Sequence, residues 1–263
     1  MKRYGYFLDL LKLDIEKYPV IAVVGGGGKT SLIYRLNEEL QALGKKVIIS
    51  TTTHMAYDPM LPLVKSTCIE RVPEILKEHG FAVVADIEET SGKMCAIEEA
   101  ALKKLVPFCD VMLIEADGAK RKPLKVPADW EPAIPDFADV VVSVIGLDCL
   151  GKPICETAHR AEYTSSFLEK NLEAPVTAED IEKIATSVHG LYKNVDHKVY
   201  RVYLNKADIL PDSSPAEHIV EDLAKQGTIA AYGSLREAEN YEDCIDHAGS
   251  WKQSAVWKQQ TFI

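Results

Sequence analysis

Val20-Ile21-Ala22-Val23-Val24-Gly25-Gly26-Gly27-Gly28-Lys29-Thr30-Ser31 decides the reading of this chain. Its apolar, mostly β-branched start reads as a strand buried on both faces, which the glycines then end. A helix follows directly, from about Thr30 to Leu43, with Leu32, Ile33, Leu36, Leu40 and Leu43 on one face and Gly44 as its stop. Strand, glycine loop, Lys-Thr and helix together form the context of a phosphate-binding loop. Glycine lets backbone approach phosphate oxygens, and the helix start adds unpaired N–H groups and the positive end of its dipole. On this reading Gly25, Gly26, Gly27, Gly28 and Ser31 line the phosphates. Lys29 neutralises the terminal ones, and the Thr30 hydroxyl holds Mg²⁺. Val23 stands where the usual pattern has its first glycine, so the loop reads as a shortened Gly-x-x-Gly-Lys-Thr form or as a variant in which four consecutive glycines replace the usual wrap.

Further short apolar runs are Val47 to Ile49, Phe81 to Ala85, Val111 to Ile114, Val140 to Ile145, Val199 to Leu204 and Thr228 to Tyr232. Helix-period segments lie at about Ile97 to Leu105, Ala178 to Val188 and Pro215 to Gln226. Strands alternating with helices predict an α/β fold of the P-loop NTPase type: a doubly wound, mostly parallel sheet with helices on both faces. The stretch Lys120 to Pro135, broken by Pro123, Pro127, Pro132 and Pro135, reads as a surface loop.

Composition bounds what such a fold does. The chain has 263 residues, 47% hydrophobic and 27% charged, which suits a globular protein and excludes the disordered classes. Its length and the lack of a clean linker predict one domain over residues 1–263, with its core at about 18–235. Lys+Arg is 30 against Asp+Glu 40, a net charge of −10, so the chain is ill suited to wrapping nucleic acid. No apolar run is long enough for a membrane helix, and Met1-Lys2-Arg3-Tyr4 opens no signal peptide, so a cytoplasmic location is expected. Cys68, Cys95, Cys109, Cys149, Cys155 and Cys244 lack zinc-ligand spacing and are expected mostly as buried thiols.

Two more strand ends carry chemistry. Val111-Met112-Leu113-Ile114 runs into Glu115-Ala116-Asp117-Gly118, and ligands of open α/β sheets sit at such carboxyl ends. Asp117 is the candidate metal ligand there, and Glu115 a metal ligand or general base. Lys120, Arg121, Lys122 and Lys125 follow, and such clustered cations suit a second anion or the charge on a transferred phosphoryl group. Lys120, Arg121 and Lys125 are expected to contact that anion, with Asp148, His159 and Arg160 as the opposite wall. Thr51-Thr52-Thr53-His54 ends another strand on the same rim, where its hydroxyls would face the γ-phosphate or Mg²⁺. Finally, Asn205-Lys206-Ala207-Asp208 closes the strand from Val199, and this Asn-Lys-x-Asp tetrad reads guanine in many GTP-binding proteins. A carboxylate at Asp208 pairs with two base N–H groups that adenine does not offer. Ser234, after the next strand, falls where a second base-contacting loop lies. GTP is favoured over ATP.

Val-Gly-Gly-Gly-Gly-Lys-Thr at 24–30, Thr-Thr-Thr-His-Met at 51–55, Glu-Ala-Asp-Gly-Ala at 115–119 and Lys-Pro-Leu-Lys at 122–125 together resemble the YqeC family. So do Glu131-Pro132, Gly146-Leu147-Asp148, Leu150-Gly151, His159-Arg160 and Asn-Lys-x-Asp. The resemblance runs from about Tyr18 to Leu235 and implies an accessory role in selenium cofactor biosynthesis for selenium-dependent molybdenum hydroxylases. An anionic selenium or molybdenum cofactor precursor and a client hydroxylase are then the implied partners. Two readings stay open on the residues: a Mg²⁺-dependent NTPase or phosphotransferase, and a GTP-gated assembly factor without small-molecule chemistry. A nucleotide-binding module without turnover is a third, should Glu115 and Asp117 lie far from the phosphates.

Overall fold

Uninterrupted apolar strands need cover on both faces, and the computed structural model, which describes residues 6–236, shows them covered. Met1 to Tyr4 and Cys244 lie outside the described residues. The chain runs α1 (Tyr6–Leu10), β1 (Val20–Gly25), α2 (Lys29–Ala42), β2 (Val47–Thr51), β3 (His54–Met55), β4 (Leu63–Val64) and α3 (Val72–His79). It continues with β5 (Phe81–Val84), β6 (Asp86–Ile87), β7 (Met94–Cys95), α4 (Glu99–Lys103), β8 (Val111–Glu115), β9 (Leu124–Lys125) and β10 (Val140–Gly146). Then come α5 (Ile154–Thr157), β11 (Ala158–His159), α6 (Ala161–Leu168), α7 (Ala178–Thr186), β12 (Val199–Asn205), α8 (Ser214–Lys225) and β13 (Ile229–Gly233).

Eight strands form one parallel sheet in the order β13-β12-β10-β1-β8-β2-β5-β4. Alternate residues of each strand feed opposite layers, as the pleat requires. Ile21 and Val23 pack with Leu32, Ile33, Leu36 and Leu40 of α2 and with Phe7 of α1. Val20, Ala22 and Val24 face the other layer, where α3, α7 and α8 lay down Leu76, Ile181, Ile184, Ile219 and Leu223. The sheet is thus doubly wound, as the alternation of runs predicted. α7 carries a capping box, in which Thr177 accepts from the Asp180 N–H and the Asp180 carboxylate accepts from the Thr177 N–H.

The stretch Lys120 to Pro135 departs from the expected surface loop. Leu124, Lys125, Val126, Ala128 and Glu131 are buried, and β9 pairs in parallel with β11. Prolines exclude it from the main sheet, but its backbone finds partners across the rim: Gly27 donates to the Lys122 carbonyl and Gly146 to that of Pro123. The thiols also differ from expectation. Among the described cysteines only Cys149 is buried, Cys68 is exposed and the rest are half-buried. Burial holds the Cys149 and Cys109 thiols up at about 12, which disfavours their thiolate forms. No described helix is long and apolar enough to cross a membrane.

Candidate functional site

The rim is built where β1 lies between β8 and β10, the place at which strand order reverses. Close backbone approach explains the glycines. A Cβ on Gly27 would sit 2.3 Å from the Gly146 nitrogen and one on Gly26 2.6 Å from the Lys122 carbonyl oxygen. Gly27 has a φ of +78°, and Gly28, at +139°, caps α2 without any side-chain cap. The first-turn N–H groups of α2 are therefore left for a ligand.

Lys29, 6% exposed, donates to the Gly25 carbonyl at 2.7 Å and lies 3.2 Å from Asp117 Oδ1. Asp117 is fully buried. Its Oδ2 accepts from the Gly25 N–H at 3.0 Å and lies 3.3 Å from Lys125 Nζ. Asp117 is therefore held under the loop by two lysines and a backbone amide. The carboxylate that meets the α2 hydroxyl is Glu115, whose Oε2 accepts from Thr30 Oγ1 at 2.6 Å. Burial, with Asp117 close by, pushes the Glu115 carboxyl up, against the pull of Lys29 and Thr30. The Thr30 hydroxyl and the Glu115 carboxylate in contact are hard oxygen donors of the kind Mg²⁺ takes.

The threonine cluster mostly serves backbone. Thr51 Oγ1 donates to the Glu115 carbonyl and Thr52 Oγ1 to that of Ala133, while the Thr53 hydroxyl is buried with no hydrogen-bond partner among the described residues. His54 is exposed, 3.2 Å from Glu88.

Lys125 has no solvent exposure. Its ammonium sits 2.9 Å from Glu131 Oε2, besides Asp117, and donates to the Gly118 carbonyl at 2.6 Å. Contact of Lys125 with a second anion is thus corrected: three acceptors already enclose it. Arg160 also donates to Glu131 and stands over the Trp130 ring at 5.2 Å. Burial alone would raise the Glu131 carboxyl, but Lys125 and Arg160 hold it below the usual value. Glu131 is the residue that sequence reasoning left without a role. Its one signal in the sequence was the Glu131-Pro132 pair within a cation-rich loop, which Asp129 two residues earlier makes ambiguous.

Asn205, Lys206 and Ser234 come together on the other side of the glycine loop. Asn205 Nδ2 donates to the Gly27 carbonyl at 2.7 Å, and its Oδ1 accepts from the Leu235 N–H at 3.2 Å. Lys206, in the left-handed region, ion-pairs with Asp148 at 2.6 Å. Asp148 thus pairs with Lys206 through one oxygen, while its Oδ1 lies beside Gly146, which Pro123 of the basic loop also approaches. Asp208 is exposed and Ser234 buried.

A parallel doubly wound sheet with Gly-Lys-Thr at the lip of its first long strand defines a P-loop-type α/β protein. The YqeC protein family matches over residues 21–162, and YqeC of Escherichia coli strain K12, itself uncharacterized, is 32% identical over 246 residues, covering 87% of this chain and 92% of that protein. The chain belongs to the YqeC family. Among solved structures, the hydrogenase maturation factor HypB from Archaeoglobus fulgidus is loosely similar, with a TM-score of 0.39 at 14% identity over 87% of this chain and 93% of that one.

Proposed function

We propose that this protein is a Mg²⁺-dependent nucleoside-triphosphate-binding protein that hydrolyses the nucleotide or transfers its terminal phosphoryl group. The observation that carries this reading is the meeting of Thr30 with Glu115 and of Lys29 with Asp117 directly beneath an uncapped helix start. Lys29 exchanges the Gly25 carbonyl for the terminal phosphates, and the first-turn N–H groups of α2 hold the phosphate oxygens. Thr30 and Glu115 would ligate Mg²⁺, which supplies charge neutralisation at the phosphates when bound. Asp117 touches no open space and acts by positioning Lys29 and the Gly25 amide. Asp208 reads the base, and its exposed carboxylate favours guanine, so GTP ranks before ATP. The family resemblance supports a place for this activity in selenium cofactor biosynthesis or the maturation of selenium-dependent molybdenum hydroxylases, in the cytoplasm, as one domain.

Calorimetry with GTP and ATP, with and without Mg²⁺, tests the binding, and phosphate release tests turnover. Tight GTP binding that is lost in folded Lys29→Ala is expected. Unchanged affinity in that variant would remove the reading.

A further inference from the structure

Three cations at the lip of the glycine loop have no carboxylate partner among the described residues: Lys120, Arg121 and Lys122. In a chain with a net charge of −10, so compact a group left unneutralised is unusual. Its placement is also built. Lys120 and Arg121 hold left-handed backbone, with φ of 45° and 64°, as does Arg160 at 54°. Such conformations are disfavoured in a non-glycine residue and persist where the surroundings over-determine them, often at ligand sites. Here the surroundings are explicit. The Lys122 carbonyl takes the Gly27 N–H at 3.0 Å, Lys122 Nζ donates to the Glu156 carbonyl, and β9 pairs with β11 so that Lys125 stands opposite His159.

Arg160 closes the same neighbourhood. Its guanidinium is fixed by Glu131 on one side and by the Trp130 ring on another, yet its side chain remains 30% exposed. His159 reports the field that results. Burial, Arg160, Lys125 and Lys120 press its pKa down to about 4, with Glu131 as the opposing charge. The imidazole is thus neutral at pH 7 and adds no charge. Of Lys120, Arg121, Lys122, Lys125 and Arg160, only Lys125 and Arg160 ion-pair among the described residues, with Asp117 and Glu131, and Asp117 is shared with Lys29.

We propose that Lys120, Arg121 and Arg160 bind a second, small tetrahedral oxyanion beside the glycine loop, with Lys125 and Glu131 as the buried pair that positions Arg160. Its location next to a nucleotide's terminal phosphate rests on the reading of the nucleotide site above. The chemistry is that of a phosphate group, free or at the end of an organic ester, because guanidinium and ammonium donors with exposed N–H groups match its oxygens.

The probe is inorganic phosphate, titrated calorimetrically into the full chain loaded with Mg²⁺ and a non-hydrolysable triphosphate analogue, so that the terminal-phosphate position is filled. The wild type is expected to take up phosphate. The double variant Lys120→Ala/Arg121→Ala, whose residues are exposed, should fold normally and weaken phosphate about tenfold or more while holding the analogue within about threefold. Arg160→Ala should weaken phosphate alike. Glycerol 3-phosphate, titrated in parallel, binds more tightly than phosphate if the natural ligand is an ester and no more tightly if it is the free anion. Absence of phosphate binding to the wild type at millimolar concentration overturns the proposal, as does unchanged phosphate affinity in the double variant. A loss of analogue affinity in the double variant as large as that of Lys29→Ala overturns it too, since the cations then serve the nucleotide. A wild type that binds no analogue yet takes phosphate through Lys120 and Arg121 removes the nucleotide reading and leaves the oxyanion site standing.

Discussion

The rim at β1 and β8 and the rim at β12 and β13 share one edge of the sheet but are built on opposite principles. Under the glycine loop the charges are sealed: Asp117 and Lys125 are wholly buried and each meets several partners. Beside Asn205 they are open. Lys206 has a side-chain exposure of 36% with one carboxylate partner, and Asp208 stands exposed. A sealed network in low dielectric keeps its geometry before any ligand arrives, whereas exposed groups settle only once a ligand is present. On the proposed reading, the first kind of rim serves the phosphates and the second the base. The charge-dense rim also makes the fold depend on the site, and the open rim does not.

The largest effect that would break this contrast is on stability. Lys125→Met removes the buried cation shared by Asp117 and Glu131, leaving Asp117 to Lys29 and Glu131 to Arg160, at an expected cost of about 3 kcal/mol in urea unfolding. A loss under about 1 kcal/mol would mean that the rim holds without its network.

Next is the pH dependence of His159. Its folded pKa of about 4 lies below the ordinary 6.5, so as pH falls the unfolded chain is protonated first. This contribution is complete above pH 6.5 and is lost between 6.5 and 4, by at most about 3 kcal/mol. His159→Gln should flatten that part of the stability curve, and an unaltered slope would show that the cations around it do not act on it.

On ligand binding, Lys29→Ala should weaken triphosphate about a hundredfold, or ~2.7 kcal/mol, by calorimetry. The smallest effect belongs to the open rim. Asp208→Asn should cost GTP about tenfold, or ~1.4 kcal/mol, gain xanthosine triphosphate and leave unfolding unchanged. A stability loss there would erase the contrast between the rims.

The long strands and α2 were legible because each is a local apolar pattern, and β1 with α2 also carries its own glycine punctuation. α3 and α6 were not legible. α3 opens with Val72-Pro73 after an irregular turn, and α6 is capped by Arg160 in left-handed backbone, so neither shows a usual N-cap. β4, only Leu63–Val64, is too short to carry a period and exists through pairing with β5.

The candidate site divides in the same way. Gly25 to Thr30 and Asn205 to Asp208 could be read off the chain because backbone geometry ties their residue types to a fixed spacing. The sequence by itself sets the metal on Asp117 and leaves Glu115 between metal ligand and general base, because Glu115 ends β8 and Asp117 follows it by two residues. Only the packing shows that Glu115 meets Thr30 while Asp117 lies beneath Lys29. The burial of Lys125 was likewise undetermined by its neighbours in sequence. A lysine is driven to the surface unless carboxylates meet it inside, and here those come from the end of β8 and from the turn at Glu131, which the β9–β11 pairing brings together. Local pattern therefore specified the sheet and the loop, and long-range charge pairing decided which of the described cations are neutralised inside and which are not.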